Sequence, residues 1–237
     1  MGVSGRVTEL VRAGGALLLD LDGTLVDSEP MHRAAFAAYF ALRGWDVPDD
    51  VVRQFAGRRG HEAFAQVDGP WAGEDPAELT QGVVDALLRT TTRPLPVPGA
   101  ASLLTACREL AVPTAVVTSA RRSWAEQVLR GLGGWPVATV TAEDCTRGKP
   151  HPEPYLRGAQ VLDVTVAAAV VAEDTPAGID AARAAGVAHV IGMATTYPGE
   201  ALLEAGADDV ATDLRDLSAA VRAAAGGTGM TPRAGLT

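Results

Sequence analysis

The stretch Ala16-Leu17-Leu18-Leu19-Asp20-Leu21-Asp22-Gly23-Thr24-Leu25-Val26-Asp27 decides the fold. Its first four residues are an unbroken apolar run, preceded by Gly14-Gly15 and stopped by Asp20. A run this short, set between a glycine pair and a carboxylate, predicts a strand buried on both faces rather than a helix. If the strand continues, period-two alternation puts Asp20 and Asp22 on one side, and Gly23 then lets the backbone turn away. Two carboxylates this close repel unless a cation joins them or one takes a proton, and a hard, oxygen-liganded ion such as Mg²⁺ suits them. Paired aspartates at a strand end also serve as turn and capping residues, so the pair alone leaves both readings open.

Outward from this strand the pattern repeats. Apolar runs at 114–117 and 167–172 also end in polar residues, Thr118 and Glu173-Asp174, and shorter strand candidates lie at 138–141, 189–191 and 209–211. Helical periodicity falls between them, at 99–110, 123–132, 152–162, 177–185 and 200–205. Strands alternating with helices imply right-handed crossovers and a doubly wound parallel sheet, whose ligands bind beyond the carboxyl ends of the strands. Residues 31–95 break the alternation, with helical patterns at 31–42, 49–55 and 76–90 and no strand, and so predict a helical insert. Arg93-Pro94-Leu95-Pro96-Val97-Pro98-Gly99 is too proline-rich for a helix or a central strand and reads as the return linker, opposite a hinge at 26–30. The Gly-rich end, 223–237, is expected to be a frayed tail.

Composition narrows the function. Over 237 residues, 47% are apolar and 21% charged, the balance of a soluble globular chain with room for a large core. A formal charge of −9 argues against nucleic acid or an anionic membrane as partner, since both are bound by clustered Lys and Arg. Cys107 and Cys145 have no zinc or redox spacing and are expected to be free thiols. No signal-peptide pattern and no apolar stretch of the ~18 residues a membrane span needs is visible, so a cytoplasmic monomer is expected.

Further groups that could do chemistry sit at the other strand ends. Thr118-Ser119 offers hydroxyls and amides for phosphate oxygens, although such residues commonly cap the next helix. Lys149, in Arg147-Gly148-Lys149-Pro150-His151-Pro152-Glu153-Pro154, is an ammonium on a stiffened loop, although most loop lysines are merely solvated. Glu173-Asp174-Thr175-Pro176 adds two carboxylates, with Asp174 or Thr175 as an alternative helix cap. Acid pair, hydroxyl, lysine and acid pair, in this order at one sheet edge, are more than unrelated caps.

This ordered set resembles the haloacid dehalogenase superfamily, with its Asp-x-Asp-Gly-Thr first motif, Thr/Ser second, Lys third and acidic fourth. The likeness runs from Asp20 to Asp174 and into 175–186. It implies a Rossmann-like α/β core, residues 1–27 and 97–237, with a small helical cap at 28–96. The nearest resemblance is to phosphatases of glycerol, deoxyglucose and other sugar phosphates, with β-phosphoglucomutase a close neighbour. By that resemblance Asp20 is the nucleophile that forms an aspartyl-phosphate, and Asp22 is the acid and base. Thr118, Ser119 and Lys149 hold the phosphoryl group, and Mg²⁺ is bound by Asp20, the Asp22 carbonyl and Asp174, with Glu173 beside it or as a ligand. The cap run Gly57-Arg58-Arg59-Gly60-His61-Glu62 is expected to be a loop that brings Arg58 or Arg59 to the substrate, a small phosphorylated metabolite. Glu29, His32 and Arg121 are further candidates. A mutase that returns the phosphate to the sugar is the alternative, and a degenerate binding domain is disfavoured because no motif residue is missing.

Overall fold

The structure, a computed structural model, describes residues 3–133 and 136–225. Ala16–Leu19 forms β1, all four residues buried, at the middle of a six-stranded sheet. On one side lie β4 (Thr114–Val117) and β5 (Ala138–Val140), and on the other β6 (Ala169–Glu173), β7 (His189–Met193) and β8 (Asp209–Ala211). Every pairing in this sheet is parallel. The chain therefore winds outward from β1 to β5, crosses back, and winds outward again on the other side. The crevice left at that reversal opens above the carboxyl end of β1.

Period-two alternation sends neighbouring side chains into different layers. Leu17, Leu19, Val116, Val170 and Ala172 face a core built with α1 (Val3–Arg12), α6 (Ala100–Glu109), α7 (Arg122–Gly131) and α11 (Arg215–Ala225). Leu18, Ala115, Val117 and Val171 face the opposite core, under α8 (Glu153–Val161), α9 (Pro176–Ala185) and α10 (Gly199–Glu204). The doubly wound α/β sheet expected from the strand–helix alternation is thus present.

Helices α2 (Glu29–Arg43), α3 (Asp49–Arg53), α4 (Gly60–Gln66) and α5 (Pro76–Arg89) fill the insert. They enclose their own core, in which Phe40 stacks on Trp71 at 5.5 Å and Phe55 meets Phe64 edge-on at 4.7 Å. The two linkers pair with each other: β2 (Val26–Asp27) runs antiparallel to β3 (Leu95–Pro96), a short ribbon apart from the main sheet.

Other differences have local causes. The strand expected at 167–172 starts at Ala169, because β1 begins at Ala16 and Ala16 pairs with Ala169, leaving residues 166–168 to form a 3₁₀ turn. The run from Gly57 is a loop only to Arg59, which is the N-cap residue of α4. Residues 223–225, expected to be frayed, belong to α11, held by Arg12 bonds to the Ala223 and Ala224 carbonyls; the rest of that segment, like Trp135, lies outside the described residues. Among the described residues no helix is long and apolar enough to cross a membrane.

Leu18 is fully buried where β1 meets the second core. Leu18→Ala should cost about 2–5 kcal/mol of stability, read from urea unfolding, because the rigid sheet cannot collapse onto the cavity.

Candidate active site

Parallel pairing carries Asp20 onto the sheet edge: its amide donates to the Ala172 carbonyl at 3.0 Å, and the side chain is buried. Gly23 then turns the chain at φ +86°, where a Cβ would lie 1.9 Å from Asp174 Oδ2. Only glycine lets the first motif press against the fourth. On the other flank of β1, the Thr118 amide donates to the Val140 carbonyl, keeping Thr118 in line with β4.

Lys149 is 1% exposed, and its ammonium donates to Asp20 Oδ1 at 2.6 Å, to the Val117 carbonyl at 3.1 Å and to Glu173 Oε1. Glu173 is itself saturated. Oε1 also accepts from the Tyr155 hydroxyl at 3.0 Å, and Oε2 accepts from the amide and hydroxyl of Thr175, both at 3.0 Å. Gly178 makes room, since a Cβ there would lie 1.8 Å from Glu173 Oε1. Glu173, expected beside the metal or as a ligand, has both oxygens occupied by protein donors and holds Lys149. The helix cap that competed with the acidic reading is Thr175, which accepts from the Gly178 amide and leaves Asp174 free for the site.

Burial pushes the Asp20 carboxyl well above its usual range, against the pull of the Lys149 ammonium, and the Glu173 charge pushes the same way. Burial, then the charges of Glu173 and Asp20, do the same to Asp174. Burial works against the charge of Lys149, but Asp20 and Glu173 outweigh it, so its proton is held more tightly than a free lysine's. Three carboxylates thus surround one ammonium, and Asp20 Oδ2 is buried without a hydrogen-bond partner. Among the described residues no three His, Cys, Asp or Glu side chains form a closed metal cage. The donors that fit a hard cation are the carboxylates of Asp20 and Asp174, with main-chain oxygen from the first motif.

Asp22 stands at the mouth of the site. Its Oδ1 accepts from Ser28 Oγ at 2.7 Å and from the Trp124 indole at 3.0 Å, so its side chain is held by those two donors. Thr118 Oγ1 accepts from the Ala120 amide, and Arg121, not Thr118 or Ser119, occupies the N-cap of α7. Ser119, expected at the phosphate, donates to the Gly57 carbonyl of the insert at 2.9 Å.

A cavity of about 680 Å³ opens above these groups, lined by Asp20, Asp22, Thr118 and Asp174 below and by Phe36, Phe64 and Val83 of the insert above. Arg58, Arg59, Glu29, His32 and Arg121 all border it. Their roles divide. The buried Arg59 guanidinium is committed to the core, donating to the Cys145 carbonyl at 3.0 Å and that of Thr146 at 3.3 Å. Glu62 reaches down beside it to the Gly148 amide at 3.0 Å. Arg58 is held by Gln66, the Glu29 carboxyl is raised by burial, and Arg121 is exposed at the rim. Sequence reasoning missed Trp124 and Tyr155. Tyr155 and Trp124 each lie in the first turn of a helix, α8 and α7, and had no signal beyond that place.

The family described as haloacid dehalogenase-like hydrolase matches residues 15–186, well over half the chain. The chain belongs to that family. Validoxylamine A 7'-phosphate phosphatase of Streptomyces hygroscopicus subsp. limoneus is 42% identical over 191 residues, 79% of this chain and 89% of that protein. Glycerol-1-phosphate phosphohydrolase 2 of Saccharomyces cerevisiae is 35% identical over 206 residues, 81% of this chain and 80% of its own length. Among solved structures, a hydrolase from Pseudomonas syringae shares the fold, with a TM-score of 0.79 at 24% identity over 86% of this chain and 95% of its own.

The raised carboxyls set a pH dependence. A carboxyl with a folded pKa above its unfolded value stabilises the fold at low pH, and that contribution is lost as pH rises from the ordinary carboxylate range through the raised value. In EDTA, thermal unfolding should therefore shift to lower temperature as pH rises above the ordinary carboxylate range, and Asp174→Asn should flatten that slope. An equal slope in the variant would place the excess charge elsewhere.

Proposed function

We propose that this chain is a Mg²⁺-dependent phosphomonoester hydrolase acting on a sugar or polyol phosphate through an aspartyl-phosphate. One observation carries this reading: Asp20 is buried at the floor of the cavity, one oxygen held by Lys149 and the other without a partner. A carboxylate fixed in this way is an oriented nucleophile. The relatives just described are named for phosphate esters of validoxylamine A and of glycerol, which supports the substrate class.

In the first half-reaction an Asp20 oxygen bonds to phosphorus, the bond from phosphorus to the ester oxygen breaks, and Asp22 gives its proton to the departing alkoxide. In the second, Asp22 takes a proton from water, whose oxygen displaces Asp20 and releases inorganic phosphate. Covalent catalysis divides one hard step into two easier ones, and a positioned acid and base contributes typically ~10²–10⁴-fold. Lys149 keeps the Asp20 carboxylate aimed, and Glu173 and Tyr155 keep Lys149 in place. Thr118 stands beside Asp20 at the carboxyl end of β4, where its hydroxyl would receive a phosphoryl oxygen. Asp20 and Asp174, with the Asp22 carbonyl, would hold Mg²⁺, which when bound supplies the positive charge that lets an anionic nucleophile approach an anionic ester.

Residues 28–96 would act as a cap over this chemistry. Arg58 and Glu29 are its polar groups at the leaving-group end, while Arg59 and Glu62 dock it onto the Lys149 loop. Water excluded by the cap during transfer would be readmitted for hydrolysis.

Phosphate release from glycerol, hexitol, hexose and nucleoside monophosphates, with and without Mg²⁺, tests the reading. Wild type should release phosphate only with the metal, preferring the sugar and polyol esters. Asp20→Asn should lose on the order of 10³-fold or more, as removal of a nucleophile acting within a unit does. Interconversion of hexose phosphates without phosphate release would replace the hydrolase reading by a mutase.

A further inference from the structure

We propose that Trp124 is a positioning residue for Asp22, its indole N–H and the Ser28 hydroxyl together clamping the carboxylate that serves the leaving group. This rests on the reading of Asp22 as proton donor. Asp22 lies on the turn after β1, half-buried, and its carboxylate would otherwise be free to rotate. Two donors from different parts of the chain converge on the same oxygen, Oδ1: Ser28 Oγ at 2.7 Å and Trp124 Nε1 at 3.0 Å. Oδ2 keeps only a longer 3.3 Å contact with the indole. One oxygen is thereby fixed while the other stays available, and Asp22 and Trp124 both border the cavity.

Each donor bears marks of a fitted part. An indole N–H only donates, so at this place it serves an acceptor and nothing else. The Trp124 ring packs against the core shared by α6, α7 and α11, which gives the N–H a fixed direction. Ser28 is 1% exposed and occupies the N-cap position of α2, where a serine ordinarily accepts from the helix amides. Its side chain makes no such bond and donates to Asp22 instead. Both donors are neutral, so they orient the carboxylate without forming an ion pair with it. A ring present only for packing would have no reason to aim its one polar atom at this carboxylate.

The test uses the full-length protein with Mg²⁺, comparing p-nitrophenyl phosphate, whose phenolate leaves without a proton, with an alkyl phosphate, whose alkoxide needs one. Trp124→Phe keeps the ring and removes the donor. It should lower kcat/KM, which reports only the first half-reaction, about 10-fold or more for the alkyl ester and leave that of p-nitrophenyl phosphate within about 3-fold. Trp124→His, which restores an N–H, should recover part of the loss, and Ser28→Ala should show the same leaving-group dependence. In the metal-free protein the Trp124 indole proton resonance should move upfield in Asp22→Ala.

Equal losses of kcat/KM on both esters in Trp124→Phe, or an unmoved indole resonance, would overturn the proposal while leaving the hydrolase reading intact. If Asp22→Ala itself lost kcat/KM equally on both esters, the reading of Asp22 as proton donor to the leaving group would fall and the proposal with it. Should Trp124→Phe not fold, Ser28→Ala and the resonance in Asp22→Ala decide the matter.

Discussion

The buried ammonium of Lys149, joined to Asp20 and Glu173, is the constraint on which the rest of the site depends. Charges stripped of water are tolerated only when paired and hydrogen-bonded, and removing one partner of such a pair typically costs about 3–5 kcal/mol. The fold meets that condition from three directions. β4 supplies the Val117 carbonyl, α8 supplies the Tyr155 hydroxyl, and the turn into α9 supplies the two donors of Thr175. Fixing Lys149 fixes Asp20, so the orientation of the Asp20 carboxylate is settled by packing on the far side of the sheet from α6 and α11.

Such an arrangement also explains which parts of the site could be read from residues alone. Asp20, Thr118, Glu173 and Asp174 each follow an apolar run, and a run that ends in a polar residue marks the strand edge where ligands gather. Their convergence follows from parallel pairing. Trp124 and Tyr155 belong to helices, where a large aromatic ring is most often packing, and nothing in their spacing shows that each aims a polar atom at a carboxylate. Arg59 was legible as a charge in the insert but not as a strut, because its partners are main-chain carbonyls of Cys145 and Thr146, which carry no sequence signature. The partners of Glu173 were hidden for a similar reason: an acid pair announces negative charge, not which donors each carboxylate accepts from.

In the scaffold, the periodic elements were the easy ones. α1 and α11 were overlooked although Val7, Leu10 and Val11, and Leu214, Leu217, Val221 and Ala224, keep helical spacing. They pack on each other, with Thr8 Oγ1 donating to the Ala220 carbonyl, so each finds its apolar partner at the opposite end of the chain. The early start assigned to β6 came from extending an apolar run past its partner's first residue. Burial pattern shows that a segment is strand; the neighbouring strand shows where it begins.

The ribbon between the two linkers has a further consequence. Val26 lies across from Pro96 and Asp27 from Leu95, so the chain leaves the sheet and returns to it at nearly one point. Seen from the sheet, everything from 28 to 94 is a loop whose ends are already closed. Because the entropy of closing a loop grows only slowly with its length, the scaffold is almost indifferent to how much chain hangs from that point. The insert is therefore a separately variable module, tied to the core by the ribbon and by the bonds of Arg59, Glu62 and Gly57: its size and lining can diverge while the charged floor of Asp20, Lys149, Glu173 and Asp174, built outside it, keeps its geometry.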